Sequence, residues 1–213
     1  MGEALKSADR EKARIMLGLL ESVERGGEQS QRRLASELGV ALGLVNAYLK
    51  RCVRKGLVKM RQAPARRYAY YLTPNGFAEK SRLTIEYMSH SFAWFRRAKV
   101  DCTTALAAAQ EHGFRRIALL GASDLAEIAA ICALDSALVI VAVVDAKCGA
   151  ARFAGSPVVH DLDAVADTID AVLVTDMQGA DAVRRAAIAR LGVERVLTPA
   201  LLVVRRDKQR SAT

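Results

Sequence analysis

The sequence predicts a protein of the α/β class in two parts, a mainly helical part with a β-hairpin followed by a parallel sheet whose strands alternate with helices. The hydrophobic spacing supports this division, because it is helical up to about residue 113 and strand-like at intervals from Phe114 onward. The chain has 213 residues, of which 52% are hydrophobic, which is compatible with two small cores. The charge distribution also changes between the two parts.

Positive charge is concentrated in the first part. Residues 1–100 contain 20 Lys and Arg against 9 Asp and Glu, whereas residues 101–213 contain 12 against 14, giving net charges of +11 and −2. A basic half joined to a nearly neutral half is typical of a nucleic-acid-binding module with a separate partner domain. Double-stranded DNA is therefore the leading predicted partner.

The first elements of the chain predict two helices and a tight turn. Apolar residues at helical spacing indicate a scaffold helix over Arg10–Arg25, which Gly26-Gly27 ends. Ser30 can cap a second helix over Gln31–Leu38, and Gly39-Val40 suits the turn between two crossing helices. The pattern predicts a helix-turn-helix.

A third helix, the recognition-helix candidate, is predicted over Leu42–Lys55. Asn46 lies near its start, where an amide side chain can pair with an adenine edge in the major groove. The residues expected to be buried are Val45, Leu49, Cys52 and Val53.

A basic hairpin is predicted next. Its strands are Leu57–Arg61 and Arg67–Leu72, and the pattern is that of a wing. Arg61, Arg66 and Arg67 place guanidinium groups near its tip, where they suit phosphate oxygens or a narrow minor groove.

The basic side chains of the third helix have an alternative interpretation. Lys50, Arg51, Arg54 and Lys55 could form the solvated face of an amphipathic helix. The order of the elements, with helix, helix, turn, helix and basic hairpin in sequence, favours DNA contact.

These residues resemble a known family. The run QRRLASELGVALGLVNAYLKRCVRKGLVKM, followed by YAYYLTPNGFAEKSRLT, resembles winged-helix regulators of the MarR type, and most of all the subgroup associated with exopolysaccharide gene clusters. The resemblance covers about residues 10–97, and the segment Leu72–Thr84 is its most specific part. It implies a dimeric transcriptional regulator on a palindromic operator. Besides the wing, the implied contacts include Ser30, Gln31, Arg32, Arg33, Gly43, Leu44, Asn46, Ala47 and Lys50.

A long apolar helix is predicted over Gly76–Lys99. It carries more apolar surface than a connector between domains requires, and a two-fold protein is needed to read a symmetric operator. A homodimer paired through this region is the expectation. The alternative is that the apolar stripe packs only on its own two domains.

The second part of the chain alternates strands and helices. Strands are predicted over Arg116–Leu120, Ala137–Val144, Ala171–Val174 and Val193–Leu197, with Leu201–Val204 as a possible edge strand. Helices are predicted over Asp124–Leu134 and Ala180–Leu191. This order predicts a Rossmann-like, doubly wound parallel sheet.

A degraded phosphate-loop pattern lies where such a sheet binds nucleotides. Gly121 follows the first strand, and Asp145 follows the second, where a carboxylate can accept hydrogen bonds from a ribose diol. Ser123 replaces the second glycine of the usual pattern, and the carboxylate of Asp124 would repel a diphosphate. The candidate ligand contacts are Gly121, Ser123, Asp124, Leu125 and Asp145.

Two further resemblances concern this second part. The segments Val143–Asp145 and Gly155–Val158 are similar to Rossmann-like domains of sugar-modifying enzymes and polysaccharide-cluster proteins, and this resemblance implies a nucleotide or nucleotide-sugar ligand. The order of the two parts also resembles Rex-type repressors, which implies NAD(H). The alternative is a fold that has lost or changed its ligand.

The sequence leaves several other functions open. Cys148 beside Lys147 could sense oxidants, and His160 could act as a general base in an enzyme, but a loop cysteine and a solvent-facing histidine are the commoner cases. We expect no catalytic activity and no metal site, and a DNA-associated scaffold without ligand is a third possibility. Neither a secretory signal nor an apolar run of roughly 20 residues is visible, so we expect a cytoplasmic protein without membrane contact.

The expected domain limits follow from these elements. Residues 1–75 would form the DNA-binding domain, 76–113 the linker and dimerisation region, 114–204 the Rossmann-like domain and 205–213 a charged tail without assigned function.

Overall fold

The computed structural model describes residues 2–25, 31–63 and 67–203. Contacts between residues divide the chain into two compact units between Ser91 and Phe92. Ser30, Arg66 and the charged tail 205–213 lie outside the described residues. The fold class is confirmed, since a helical unit with a hairpin precedes a unit built on a mainly parallel sheet.

The first unit contains three helices and a hairpin before the long helix begins. The helices are α1 (Gly2–Glu24), α2 (Gln31–Leu38) and α3 (Leu42–Arg54). The hairpin strands, β1 (Val58–Ala63) and β2 (Arg67–Leu72), pair antiparallel from Val58 opposite Leu72 to Ala63 opposite Arg67.

The core of this unit lies between the first three helices. Fully buried side chains come from α1 with Leu19 and Leu20, from α2 with Leu34 and from α3 with Val45. Val53, which we expected to be buried, is 37% exposed, because the buried stripe of α3 passes through Leu49 and Cys52 instead. The helix-turn-helix and its hairpin are confirmed.

The hairpin is tied to the start of α4 (Pro74–Glu111) by Thr73 and Gly76. The buried Thr73 hydroxyl donates to the carbonyl oxygen of Gly56 at 2.6 Å and accepts from the N–H of Gly76 at 3.0 Å, as an N-cap does. The N–H of Thr73 donates to the carbonyl oxygen of Leu57 at 3.0 Å. A methyl group on Gly76 would lie 2.0 Å from that same oxygen. These contacts give Thr73 and Gly76, both in the Leu72–Thr84 segment, a structural role.

Helix α4 is longer than expected, because it continues past Lys99 to Glu111. Its second half belongs to the second unit, where Ala98, Cys102, Leu106 and Ala109 are buried in the core. These small and medium side chains recur at helical spacing, which is why the helix continues once it can pack there.

The second unit is built on a six-stranded sheet. Its strands are β3 (Arg116–Leu120), β4 (Val139–Val144), β5 (Arg152–Phe153), β6 (Ser156–Val159), β7 (Ala171–Val174) and β8 (Val196–Leu197), and their order in the sheet is β5-β6-β4-β3-β7-β8. All neighbouring pairs are parallel except β5 with β6. Three helices complete the unit, α5 (Asp124–Leu134), α6 (Ala180–Leu191) and α7 (Ala200–Val203).

The strand order places a topological switch point between β3 and β7. From β3 the chain proceeds through α5 to β4 on one side, and from β7 through α6 to β8 on the other. Because crossovers between parallel strands are right-handed, α5 and α6 cover opposite faces of the sheet. Ligands of such sheets bind at the carboxyl ends of the strands, at the switch point.

One expected strand is wrong and another is shorter than expected. Residues Leu201–Val203 of the possible edge strand do not extend the sheet, because they belong to α7, and the Asp101 carboxylate accepts from the N–H of Leu201 at 2.8 Å; Val204 lies outside the described residues. Of the expected strand 193–197 only Val196–Leu197 pairs, since Val193–Arg195 forms a 3-10 turn. The Arg195 guanidinium there donates to the carbonyl oxygens of Ile169 and Asp170, both at 2.6 Å.

Candidate nucleic-acid interface and ligand cleft

Helix α3 leaves most of its predicted DNA-contacting residues exposed, outside its buried stripe. Gly43, Leu44, Ala47 and Lys50 are exposed, and Asn46 is half-buried. The helix begins after Ala41, whose backbone is extended and which supplies no side-chain cap. Its last turn carries Arg51 and Arg54, so the exposed face changes from apolar to basic along the helix.

Helix α2 contributes two exposed cations, one of which is already paired, and a glutamine that is also paired. Arg32 is exposed. The amide of Gln31 donates to the hydroxyl of the buried Tyr70 at 2.9 Å and so joins α2 to the hairpin. Arg33 donates to Glu37 at 2.8 Å, and this bond lowers the pKa of the Glu37 carboxyl. A DNA contact by Arg33 would compete with that pair.

The hairpin brings further positive charge to the described surface. Arg61 and its strand neighbour Lys59 are exposed on β1. Arg67 lies in β2, and of the wing arginines Arg66 lies outside the described residues. Arg61 is thus accessible to a partner, and the roles of Arg61, Arg66 and Arg67 stay predictions.

The second unit contains a cleft at the carboxyl ends of its strands, with a volume of about 1300 Å³. We call it the carboxyl-edge cleft. It lies at the switch point, since Gly121 after β3 and Asp176 after β7 both line it. Gly121 has a φ of +108°, and a methyl group there would lie 2.6 Å from both the Cα and the N of Asp176. The two strand ends thus meet in backbone contact.

Asp145 lies in this cleft with its carboxylate engaged by backbone N–H groups. One oxygen accepts from Ala122 at 2.9 Å, and the other accepts from Lys147 at 2.8 Å and from Cys148 at 3.2 Å. These bonds, that of Ala122 first, lower the pKa of the Asp145 carboxyl. The amide of Ala122 lies in the expected phosphate loop, so the protein's own carboxylate occupies a position at which a phosphate oxygen was expected. A ribose contact by Asp145 would compete with these bonds.

The other predicted cofactor residues take different roles. Ser123 caps α5, because its hydroxyl accepts from the N–H of Leu125 at 3.2 Å and donates to the carbonyl oxygen of Thr175 at 2.7 Å. Asp124 is exposed at the cleft. Leu125 is fully buried in the core, so its side chain does not line the cleft.

The lining of the carboxyl-edge cleft is acidic. It contains two cationic side chains, Lys147 and Arg190, and Arg190 donates to Asp163 at 2.5 Å. The ring of the exposed His160 lies with Nδ1 3.1 Å from the carbonyl oxygen of Asp145. The carboxylates that line the cleft are Asp124, Asp145, Asp161, Asp163 and Asp176.

Asp176 is a cleft residue that sequence reasoning missed. Its carboxylate accepts from the N–H of Gln178 at 2.7 Å and of Gly179 at 2.6 Å, before the first turn of α6. The signal was present, because Asp176 follows the strand that ends at Val174, as Gly121 follows the strand that ends at Leu120. Residues after parallel strands meet at one edge of the sheet.

The four cysteines are free thiols. Burial raises the pKa of Cys52 to about 11 and that of Cys102 to about 12, so neither readily forms the reactive thiolate. Cys148 is half-buried in the loop after β4. Over residues 2–25, 31–63 and 67–203, no three His, Cys, Asp or Glu side chains form a group that could hold a metal ion.

The Asp145 contacts predict a dependence of stability on acid. Because the folded pKa is lowered below the ordinary value of about 3.9, the charged carboxylate stabilises the unit at neutral pH, and this contribution disappears as pH falls through the folded pKa. The difference in unfolding free energy between the wild type and Asp145→Asn should therefore be largest above about pH 5 and shrink below about pH 4.

Urea unfolding followed by the fluorescence of Trp94, which packs on the core of the second unit, measures this difference. Asp167→Asn, at an exposed position, is the control of equal charge change. A difference between wild type and Asp145→Asn that is constant from pH 3 to pH 7 would contradict the assignment of these hydrogen bonds.

One comparison with known proteins agrees with the geometry of the first unit. Residues 13–59 match a family described as winged helix-turn-helix DNA-binding. No curated protein matches the chain. The crystal structure of a MarR family transcription regulator is similar at 21% sequence identity and a TM-score of 0.36, over 44% of this chain and 70% of that one. The match of residues 13–59 and the arrangement of α1, α2, α3 and the hairpin identify a winged helix-turn-helix DNA-binding domain.

Within the described residues, no helix has the length and apolar character needed to cross a membrane.

Proposed function

We propose that this protein is a homodimeric transcriptional regulator that binds operator DNA through α3 and the wing and senses a small molecule in the carboxyl-edge cleft. One observation supports DNA binding above all others. The exposed side of α3, with Lys50 and Arg51, and the exposed Arg61 of the wing belong to the half of the chain that has a net charge of +11. Cationic side chains beside a recognition helix supply the phosphate contacts that hold it in the major groove.

Arg61→Ala tests the phosphate contact. Because each lost phosphate contact removes about one released counterion, the slope of log affinity against log salt should become shallower by about 0.9 per contact. The variant should also weaken binding to related and unrelated duplexes by the same factor. Fluorescence anisotropy over a series of salt concentrations measures both quantities.

The matched control is Arg185→Ala, which removes an equal charge from an exposed position of α6 in the second unit. It should leave the slope unchanged. If both variants shift the slope equally, only the net charge of the protein matters and the assignment of Arg61 is wrong.

The proposed dimer rests on exposed apolar side chains of α4. Ile85 is 67% exposed, and Met88, Phe92 and Phe95 follow at spacings of three, four and three residues, all exposed. This is the spacing of a seam between two paired helices. A two-fold protein can then present two copies of α3 to half-sites about one helical turn apart.

Ile85→Lys should therefore lower the solution mass from two chains to one at micromolar concentration, as measured by analytical ultracentrifugation. Leu134→Lys, at an exposed apolar position of α5, is the control and should leave the mass unchanged. A wild-type mass of one chain would contradict the dimer.

The sensor assignment is supported by the place and size of the carboxyl-edge cleft. It lies at the switch point, and its volume of about 1300 Å³ exceeds the ~300–1,000 Å³ of common small-molecule pockets. We propose a nucleotide or nucleotide-sugar ligand, with NAD(H) as the alternative. Because Asp145 holds the amide of Ala122, a phosphate would have to displace this carboxylate, and contacts through base and sugar are favoured over the expected diphosphate contact.

We propose regulation rather than catalysis for this site. A ligand that favours one arrangement of the two DNA-binding domains should change operator affinity by about 5- to 150-fold. DNA titrations with and without NAD, NADH, UDP-sugars and GDP-sugars test this directly. Turnover of any of these compounds would show that the protein is an enzyme instead. If none of them changes the affinity for DNA, the protein is a DNA-associated scaffold that responds to none of these ligands.

Control of polysaccharide genes belongs to the same proposal, on the resemblance of the Leu72–Thr84 segment alone. Mapping the genomic binding sites of the full chain tests it.

A further inference from the structure

The first two turns of α3 expose mainly apolar side chains. Leu42 is 39% and Leu44 is 40% exposed, and Gly43 and Ala47 are exposed beside them. Between Ala41 and Leu49 the sequence contains no charged residue. Its polar side chains there, Asn46 and Tyr48, are both half-buried. Two leucines at a helix start are not covered by the core of their own domain.

Cations follow directly on the same helix. Lys50 lies three residues after Ala47, and Arg51 lies four residues after it, so both are neighbours of Ala47 on the helix surface. Both are exposed, as is Arg54 one turn further on. A surface with apolar side chains first and cations next is complementary to a polyanion that also offers apolar groups.

DNA offers one such group in the major groove, the C5-methyl group of thymine. The N-terminal residues of a recognition helix contact base edges, and cations elsewhere contact phosphates. Aliphatic side chains cannot form hydrogen bonds to bases, but they can pack on a methyl group.

We propose that Leu44 and Ala47 read thymine methyl groups, so that the operator half-site is specified in part by apolar contacts to A·T pairs. This inference rests on the proposed DNA-binding function and names the feature of DNA that α3 selects. Removal of one buried methyl group should weaken binding about fourfold.

The test requires no change to the protein. Duplexes bound by the full chain are first selected from a random pool, and each thymine of the selected sequence is then replaced by deoxyuridine, which lacks only the methyl group. One or two positions in each half-site should each lose about fourfold in affinity at fixed salt. Uniform affinities within twofold at every position would overturn the inference while leaving DNA binding established.

Two variants locate the contact. In Leu44→Ala one of these positions should become insensitive to deoxyuridine, because the partner of the methyl group is gone. Lys50→Ala is the matched control on the same helix. It should weaken binding to the thymine and deoxyuridine duplexes by the same factor, so the loss on replacing thymine by deoxyuridine should persist. Leu44 is exposed, so its truncation leaves the core of the domain intact.

Sensitivity that persists unchanged in Leu44→Ala and in Ala47→Gly would overturn the assignment to these side chains. Failure to select any duplex would overturn the proposed DNA-binding function and this inference together. If no duplex is selected and a protein covers the face with Leu42 and Leu44 in the absence of DNA, these leucines bind a protein partner instead.

Discussion

Replacement of Gly76 by alanine should lower the free energy of unfolding of the first unit by about 3 kcal/mol, the upper end of the range for overpacking. The added methyl group would lie 2.0 Å from the carbonyl oxygen of Leu57 and 3.0 Å from Cγ of Leu72. The carbonyl cannot move freely, because its oxygen accepts from the N–H of Thr73. The hairpin and the start of α4 would have to separate.

DNA binding should decrease with stability, because the wing is positioned by the same junction. Hydrogen exchange measured by mass spectrometry reports the two units separately and should show faster exchange in β1, β2 and the start of α4. Gly43→Ala is the control, since a methyl group there meets nothing within 4 Å. It should leave stability unchanged or raise it by up to about 1 kcal/mol. Equal stability of the two variants would contradict the close approach at Gly76.

Replacement of Gly121 by alanine should destabilise the second unit by about 2 to 6 kcal/mol. Overpacking accounts for about 1–3 kcal/mol, and a side chain at a φ of +108° costs a comparable amount. The methyl group would lie 2.6 Å from the backbone N of Asp176, which donates to the carbonyl oxygen of Leu120 at 2.7 Å. Relief of the clash would separate β3 from β7 at the edge of the cleft.

Urea unfolding followed by Trp94 fluorescence measures this loss. Gly149→Ala is the control in the same unit, because nothing lies within 4 Å of its added methyl group. An unfolding midpoint for Gly121→Ala equal to that of Gly149→Ala would show that the two strand ends are further apart than we describe.

Strongly periodic segments could be predicted from the sequence with their limits. The strands Arg116–Leu120 and Ala171–Val174 and the helices Asp124–Leu134 and Ala180–Leu191 have the expected bounds. Each is a short apolar or amphipathic run between turn residues, so local pattern and tertiary packing agree.

Elements decided by distant contacts could not be predicted. The strand Ser156–Val159 pairs with β4 through Val158 opposite Val143, and the N–H of Leu201 in α7 donates to the Asp101 carboxylate, which lies 100 residues earlier. Leu201–Val203 is as apolar as a strand, yet it belongs to α7 and its first N–H is bonded to α4. Periodicity carries no information about such partners.

In the cleft, too, the positions of residues could be predicted from the sequence but their contacts could not. The position of Asp145 after a strand predicted its place at the carboxyl edge, but the direction of its carboxylate depends on the N–H of Ala122, 23 residues away. The roles of Ser123 and Leu125 differ for a similar reason, because one caps α5 and the other fills the core. The position of a residue in the sequence indicates whether it lies near the cleft, and the contacts available there determine its role.

The most direct test of DNA recognition by α3 and the wing is selection of duplexes from a random pool by the full chain at about 0.15 M salt. The affinity of the selected sequence and of a shuffled duplex is then measured. We predict an inverted repeat with half-sites about one helical turn apart, bound at least ~1,000-fold more tightly than the shuffled duplex. Equal affinity for both duplexes, with no enriched sequence, would contradict the proposed function.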